Sequence, residues 1–261
     1  MNGYLIVFFV IFLILAHLFK MARLYLVLME QDISFFSFVF LYVRTTLANL
    51  VIPFKIGELY RIGAVYHVTG SPEIGILSIL TDRFFDTAAL LCIILPFELF
   101  FTGGVNPVPA VLFLGLFLIF LSYLAFAPSY AWLNRYLIIN KRSERSLRLL
   151  KWLDVLHEWY GYVRTLLIGR SALITIASLS GWVFEILALK FFAGSTGISF
   201  TIRDFNDYIN SIFLSGNSRI SRPYNIVVTA VFVFLTLVFA ALWLRRRFVG
   251  QGEIRLKEGR G

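Results

Sequence analysis

Cysteine, histidine and carboxylates are scarce in this chain. Its single cysteine, Cys92, cannot form an internal disulfide, so cysteine usage says nothing about redox compartment. There are three histidines and no His-Glu-x-x-His segment, which removes the usual metalloprotease pattern. Arg222-Pro223 has no histidine after it, so a lipid-phosphatase pattern is not formed. Asp204 and Asp207 are too few and too close together for the acidic outer loop of a membrane glycosyltransferase. Charged residues make up only 15% of the chain, against about a quarter in a soluble domain. With 24 Lys and Arg against 15 Asp and Glu, the formal charge is +9. In so apolar a chain this excess points to anionic lipid surfaces and topology signals, and not to nucleic acid.

Apolar residues are what the chain has in abundance: 59% of 261 residues, with 28 Phe, 12 Tyr and 5 Trp and a mean hydropathy of +0.81. About 20 apolar residues cross the roughly 30 Å of a bilayer core. Six stretches approach that length: Tyr4 to Phe19, Phe35 to Ile52, Phe84 to Phe101, Ala110 to Phe126, Ala172 to Phe192 and Ile226 to Leu244. The first has no basic segment before it and no small-residue cleavage site after it, so it reads as a retained helix. The expected fold is all-α: one polytopic membrane bundle over 1–248, followed by a disordered, Gly-rich cytoplasmic tail over 249–261.

Lysine and arginine placement sets the expected topology. Residues 128–170 hold eight of them against three acids, and the tail after Leu244 holds six, so both are expected on the cytoplasmic side. Residues 194–223 hold Arg203, Arg219 and Arg222, offset by Asp204 and Asp207, and read as an outer loop. Lys20 and Arg23 mark the inner end of the first helix. These placements agree if 33–66 enters and leaves on one side, as a re-entrant or broken helix pair with its tip at Ile52-Pro53-Phe54. Five full crossings then put the N-terminus outside and the C-terminus inside; a full crossing of 33–66 is the alternative. Within the cytoplasmic segment, Leu149, Leu153, Leu156, Trp159 or Tyr160 and Val163 recur at helical spacing beside Arg145, Arg148 and Lys151. This fits an interfacial amphipathic helix or a solvated connector packed on its own bundle. Asp154, His157 and Glu158 on it read as surface charge, with no metal implied.

The chemistry lies between Arg44 and Asp86. A charge at the bilayer centre costs about 2.5–3.5 kcal/mol on insertion scales, so it faces a cavity or a partner. Pro53 lacks a backbone donor and Gly57 permits a close approach or a turn, which makes the pair a candidate hinge. Glu58 and Arg61 share a helix face at a spacing of three. Asp82 and Asp86 share another, with Arg83 beside them in sequence but off their stripe. Such a set reads either as a helix-locking ion network or as a wet cavity between broken helices, as at transporter sites.

The run Asn49-x-x-x-Pro53-x-x-x-Gly57-Glu58-x-x-Arg61, followed by Asp82-Arg83-x-x-Asp86, resembles the lysylphosphatidylglycerol synthase transmembrane (flippase-like) family. Arg44 stands where that family carries an upstream basic residue, and Asp82 where it more often has Glu. The chain departs from the pattern in its later part: Ile198 to Asn225 is polar and lacks the family's second Pro- and Gly-rich segment with Gly-x-x-Glu. The resemblance implies binding and movement of a lipid with a phosphate head group, such as an aminoacyl-phospholipid or a lipid-linked sugar or polyprenyl phosphate, in a prokaryotic plasma membrane. On it, Arg44, Arg61 and Arg83 hold the phosphate, Glu58, Asp82 and Asp86 orient those arginines, and Asn49 and Tyr60 meet hydroxyls. No cofactor is implied, and with no aminoacyl-transferase domain in the chain, no enzymatic activity. The alternative is a non-catalytic subunit anchoring an envelope glycosyltransferase or polysaccharide-synthesis complex, and a homo-oligomer is also open.

Overall fold

The computed structural model describes residues 3–52, 56–102, 106–140, 144–214 and 219–258. Among these the chain forms α1 (Gly3–Leu28), α2 (Phe35–Val51), α3 (Ile56–Thr69), α4 (Pro72–Phe97), a single π-helical turn (Glu98–Thr102), α5 (Pro107–Asn140), α6 (Glu144–Leu167), α7 (Ser171–Ser195), α8 (Ile202–Leu214) and α9 (Ser221–Glu258). The described residues contain no strand, as an all-α bundle requires. Local chemistry sets several starts. Ser34 caps α2, Ser71 caps α4 with Pro72 at its first position, and Pro107 opens α5, each satisfying or removing an orphan N–H.

Among the described residues four helices are long and apolar enough to cross a bilayer: α1, α5, α7 and the part of α9 up to Leu242. At 26 residues α4 has the length, but its Asp82, Arg83 and Asp86 break the apolar composition. The helices alternate in direction. Phe8 packs on Phe191 and Phe19 on Phe184, so α1 and α7 are antiparallel. Phe9 meets Tyr224 and His17 meets Phe232, so α1 and α9 are parallel. Ser78 bonds Tyr162, just before α7, while Glu98 bonds Asn206, just after it; α4 therefore runs with α7.

Helices α2 and α3 form the broken pair. Phe36 and Phe40 of α2 pack on Phe239, while Leu50 shares a groove with Ser221 and Arg222, so α2 runs antiparallel to α9. Arg61 of α3 meets Asp82, and Ile62 and Tyr66 meet Gly75, so α3 runs antiparallel to α4. The pair thus starts and ends at one end of the bundle. The C-terminal end of α2 and the N-terminal end of α3 lie toward the other end, where α9 begins. A Cβ on Gly57 would stand 2.7 Å from the Cα and 2.9 Å from the backbone N of Asn49, so the two helices touch where glycine removes the side chain.

The core sits between α1 and α7. Ala16, Ala188 and Ala193 are fully buried there, and small residues let membrane helices approach closely. A ladder of Phe8, Phe12, Phe19, Phe184 and Phe191 stacks along the seam.

Several boundaries differ from the sequence reading. Helix α1 continues past Phe19 to Leu28, because Met21, Ala22 and Leu24 to Leu28 extend its apolar run around Lys20 and Arg23. Pro128 lies inside α5 instead of ending it. The 34 residues of α5 span about 51 Å, well beyond a bilayer core. Helix α6 folds back along the second half of α5: Tyr123 and Phe126 stack with Tyr160, and Tyr130 with His157 at 4.1 Å. It is one arm of a helical hairpin, packed on α5 through Tyr160 and His157 while Leu149, Trp152 and Leu156 stay exposed. Asp154 accepts from Tyr130 Oη at 3.2 Å, so it and His157 are engaged with α5. Helical backbone continues to Glu258 where a disordered tail was expected, since Gln251 and Glu253 to Glu258 are mostly good helix formers.

Candidate functional site

Helices α1, α3 and α4 bring arginines and carboxylates together near the middle of α4. Arg23 of α1 donates to Asp82 through Nε at 2.7 Å and Nη2 at 3.4 Å, and through Nη1 to Asp86. Arg61 of α3 reaches the same Asp82 from the other side, Nη1 to Oδ2 at 3.1 Å. Arg83 of α4 curls back onto its own helix, with Nη2 3.1 Å from Asp82 and Nη1 3.3 Å from Asp86. It also lies 3.4 Å from Glu58. Asn49 of α2 donates to Glu58 at 3.0 Å. Asp82 is completely buried, with three guanidinium groups around it.

Helix register explains the convergence. Asp82 and Asp86 lie one turn apart on the face of α4 toward α1 and α3. Glu58 and Arg61 are 3.9 Å apart across one turn of α3. The close crossing at Gly57 brings Asn49 beside them. Trp182 of α7 donates its indole N–H to the backbone carbonyl of Asp86 at 3.1 Å, which holds this turn of α4 against the bundle. Arg83 is off the stripe of the two aspartates, yet its long side chain spans the difference.

The set is electrically balanced, with Arg23, Arg61 and Arg83 facing Glu58, Asp82 and Asp86. Its exposure is uneven: side chains of Arg23 and Asp82 are 2% and 0% exposed, whereas Arg83 is 38% exposed. Arg83 is therefore the cation of the set that reaches the surface. Within the buried part some donors and acceptors find no hydrogen-bond partner: Nε of Arg44, Arg61 and Arg83, Oδ1 of Asn49 and Oε2 of Glu58. Such atoms are rare in a settled core, and here they cluster on the residues facing the α2–α3 pair.

The sequence-predicted residues divide as follows. Asn49, Glu58, Arg61, Asp82, Arg83 and Asp86 come together. Arg44 makes no salt bridge among the described residues; its guanidinium lies over the ring of Phe40, 5.6 Å from the centroid. Tyr60 is on α3 but 45% exposed, outside the ion network. Gly57 is at the helix crossing, and Pro53 lies outside the described residues. Arg23 belongs to the cluster and was read only as a topology marker. The signal was present: apolar residues flank it on both sides, which places it inside a span and not at its end.

A second buried set lies one layer away. Lys20 pairs with Glu185 at 2.9 Å, and the hydroxyls of Tyr208 and Tyr224 donate to the other Glu185 oxygen at 3.0 and 2.8 Å. His17 and Tyr42 share a hydrogen bond at 3.0 Å. Lys20 also sits over the Trp182 ring, 5.2 Å from its centroid, so Trp182 touches both sets.

Residues 1–202 match the family described as Lysylphosphatidylglycerol synthase TM region. No curated protein and no solved structure matches the chain.

Proposed function

This chain belongs to the lysylphosphatidylglycerol synthase transmembrane-region family, a membrane protein related to lipid handling, and from that premise we propose that it binds and translocates a phosphate-bearing lipid past the charged cluster at the α2–α3 pair. The observation that carries the reading is the set of unpartnered donors, the Nε groups of Arg44, Arg61 and Arg83. In Arg61 and Arg83 carboxylates hold Nη atoms and leave Nε–H for a phosphate oxygen, while Arg44 has no carboxylate partner among the described residues; such charge-assisted bonds are the strong ones. Arg83 meets the head group first, Arg61 lies behind it, and Arg44 adds the cation that no carboxylate balances. Asn49 and Tyr60 serve glycerol or sugar hydroxyls. The lipid is an aminoacyl-phospholipid or a lipid-linked sugar or polyprenyl phosphate. The chain acts as a carrier and not as an enzyme.

We place it in a prokaryotic plasma membrane, with the basic 128–170 segment and the C-terminus cytoplasmic and the N-terminus outside. Lys20 and Arg23 no longer contribute to that orientation, since both are paired inside the bundle. A second reading rests on the balanced charge of the cluster: three closed ion pairs are also what a helix clamp needs. The chain would then be a non-catalytic subunit of an envelope glycosyltransferase or polysaccharide assembly.

Lipid scrambling by the purified chain in proteoliposomes separates the two. Arg44→Gln, which breaks no salt bridge among the described residues, should slow scrambling of an anionic phospholipid at least about tenfold, the loss of one charge-assisted bond, with unchanged thermal unfolding; Arg83→Gln should slow it as much and also melt lower, since Asp82, Asp86 and Glu58 lose a cation. Wild-type rates in both variants, or no scrambling by the wild type, would favour the clamp.

A further inference from the structure

A second lipid site lies on α9, away from the arginine cluster. A groove of about 810 Å³ runs between α2, α8 and α9, a size that holds sizeable ligands. It follows one stripe of α9. At the end where α9 begins, its lining is polar: Ser211, Ser221, Arg222, Asn225 and Thr229. Beyond Thr229 it is apolar: Ala230, Val233, Phe234 and Leu237, with Ile226 and Leu50 also in the lining. None of the lining residues is acidic. From Arg222 to Leu237 the stripe is about 22 Å long at 1.5 Å per residue, close to half of the ~40–45 Å of a bilayer with its headgroup regions. The polar-to-apolar order thus follows the membrane normal over one leaflet. Phe234 and Leu237 are 65% and 64% exposed, so the groove opens toward the hydrocarbon.

We propose that this groove is a binding site for one anionic glycerophospholipid of the leaflet at the α9 N-terminal end, with its phosphate at Arg222 and an acyl chain along Ala230, Val233 and Leu237. Arg222 supplies the charge complement, and Asn225, Ser211 and Thr229 supply bonds to phosphate and ester oxygens. A packed helix from a second copy fits less well, since it would carry Arg222 into an apolar contact with no carboxylate in the lining to meet it. The groove lies almost wholly beyond residue 202, so this inference does not rest on the family match. It stands or falls separately from translocation.

The test is native mass spectrometry of the full chain, released from vesicles of equal phosphatidylglycerol and phosphatidylcholine. The wild type should retain one phosphatidylglycerol in preference to phosphatidylcholine. Arg222→Gln, at an exposed position, should lower that retention at least about tenfold, and Ala230→Trp, which fills the apolar half, should do the same. Leu118→Trp on the exposed face of α5 should not. Unchanged retention in Arg222→Gln, equal retention of the two lipids, or no retained lipid would overturn the site. So would an Ala230→Trp chain whose only change is loss of a dimer. Scrambling rates are read on the same preparations, so loss of scrambling with retention intact counts against translocation alone.

Discussion

Gly57→Ala tests the crossing on which the site is built. The new Cβ would meet three atoms of Asn49: Oδ1 at 2.2 Å, Cα at 2.7 Å and backbone N at 2.9 Å. The side-chain oxygen can rotate away, but the other two belong to the backbone of α2, so the helices themselves must separate. Forcing a methyl into a packed contact costs about 1–3 kcal/mol. Against this stands the better helix propensity of Ala, up to about 1 kcal/mol in a helix interior and less at the second residue of α3. Gly63→Ala is the matched control, on the same helix with nothing within 4 Å of the added Cβ. It should be neutral or stabilising by up to about 1 kcal/mol. Thermal unfolding of both variants in one detergent gives the comparison. Gly57→Ala should melt lower than wild type and Gly63→Ala at or above it, a gap of about 1–4 kcal/mol between them. Equal melting of the two variants would show that α2 and α3 do not touch at this point.

Three further outcomes follow from the buried polar sets and the α5–α6 hairpin. Arg23→Gln, which leaves Asp82 and Asp86 short of a cation, should cost about 3–5 kcal/mol; adding Asp82→Asn should recover part of it, and strictly additive losses in the double-mutant cycle would argue against direct pairing. Glu185→Gln should lower stability by about 1.5–3 kcal/mol, since charged acceptors are lost to Lys20, Tyr208 and Tyr224; the Lys20→Met/Glu185→Gln double variant should regain stability in the same unfolding assay, and no regain would count against the pair. His157→Ala, which removes the stack on Tyr130, should cost about 0.5–1.5 kcal/mol; faster amide exchange in α6 with α1 and α7 unchanged is the expected readout, and unchanged α6 exchange would contradict the hairpin.

The sequence made the membrane class and the charged motif legible for physical reasons. Apolar runs near 20 residues and a 15% charged fraction leave few alternatives to a helical membrane bundle. Glu58 with Arg61, and Asp82 with Asp86, announced shared faces through spacing alone. Arg23 was lost because a charge near the end of an apolar run looks the same as a flanking topology signal; only the partner on α4 distinguishes them. Glu185 and Lys20 are 165 positions apart, and the antiparallel fit of α1 on α7 that joins them is set by small residues and a phenylalanine ladder, which carry no charge pattern to read. The α5–α6 hairpin was hidden by Pro128. Proline normally ends a helix, yet here α5 continues through it, and Tyr160 of the apolar stripe, with His157 beside it, packs on Tyr123, Phe126 and Tyr130.

The balance of the cluster bears on how a phosphate would enter it. Three arginines and three carboxylates leave no net charge, so a buried anion would add an unpaired negative charge in a low dielectric, which is costly. Two features offset this. Arg44 has no carboxylate partner among the described residues, and it rides on α2, the helix that meets α3 at the glycine crossing. Glu58 is held by Asn49 from that same α2, with its second oxygen lacking a hydrogen bond. A small shift of α2 against α3 would therefore change two things together: how near Arg44 lies to Arg83, and how firmly Glu58 holds Arg83 and Arg61. The rigid part of the site is Arg23 with Asp82 and Asp86, fixed by α1, α4 and the Trp182 indole. Five of the seven buried side-chain atoms without a hydrogen-bond partner among the described residues lie on Arg44, Asn49, Glu58, Arg61 and Arg83, at or facing the α2–α3 pair.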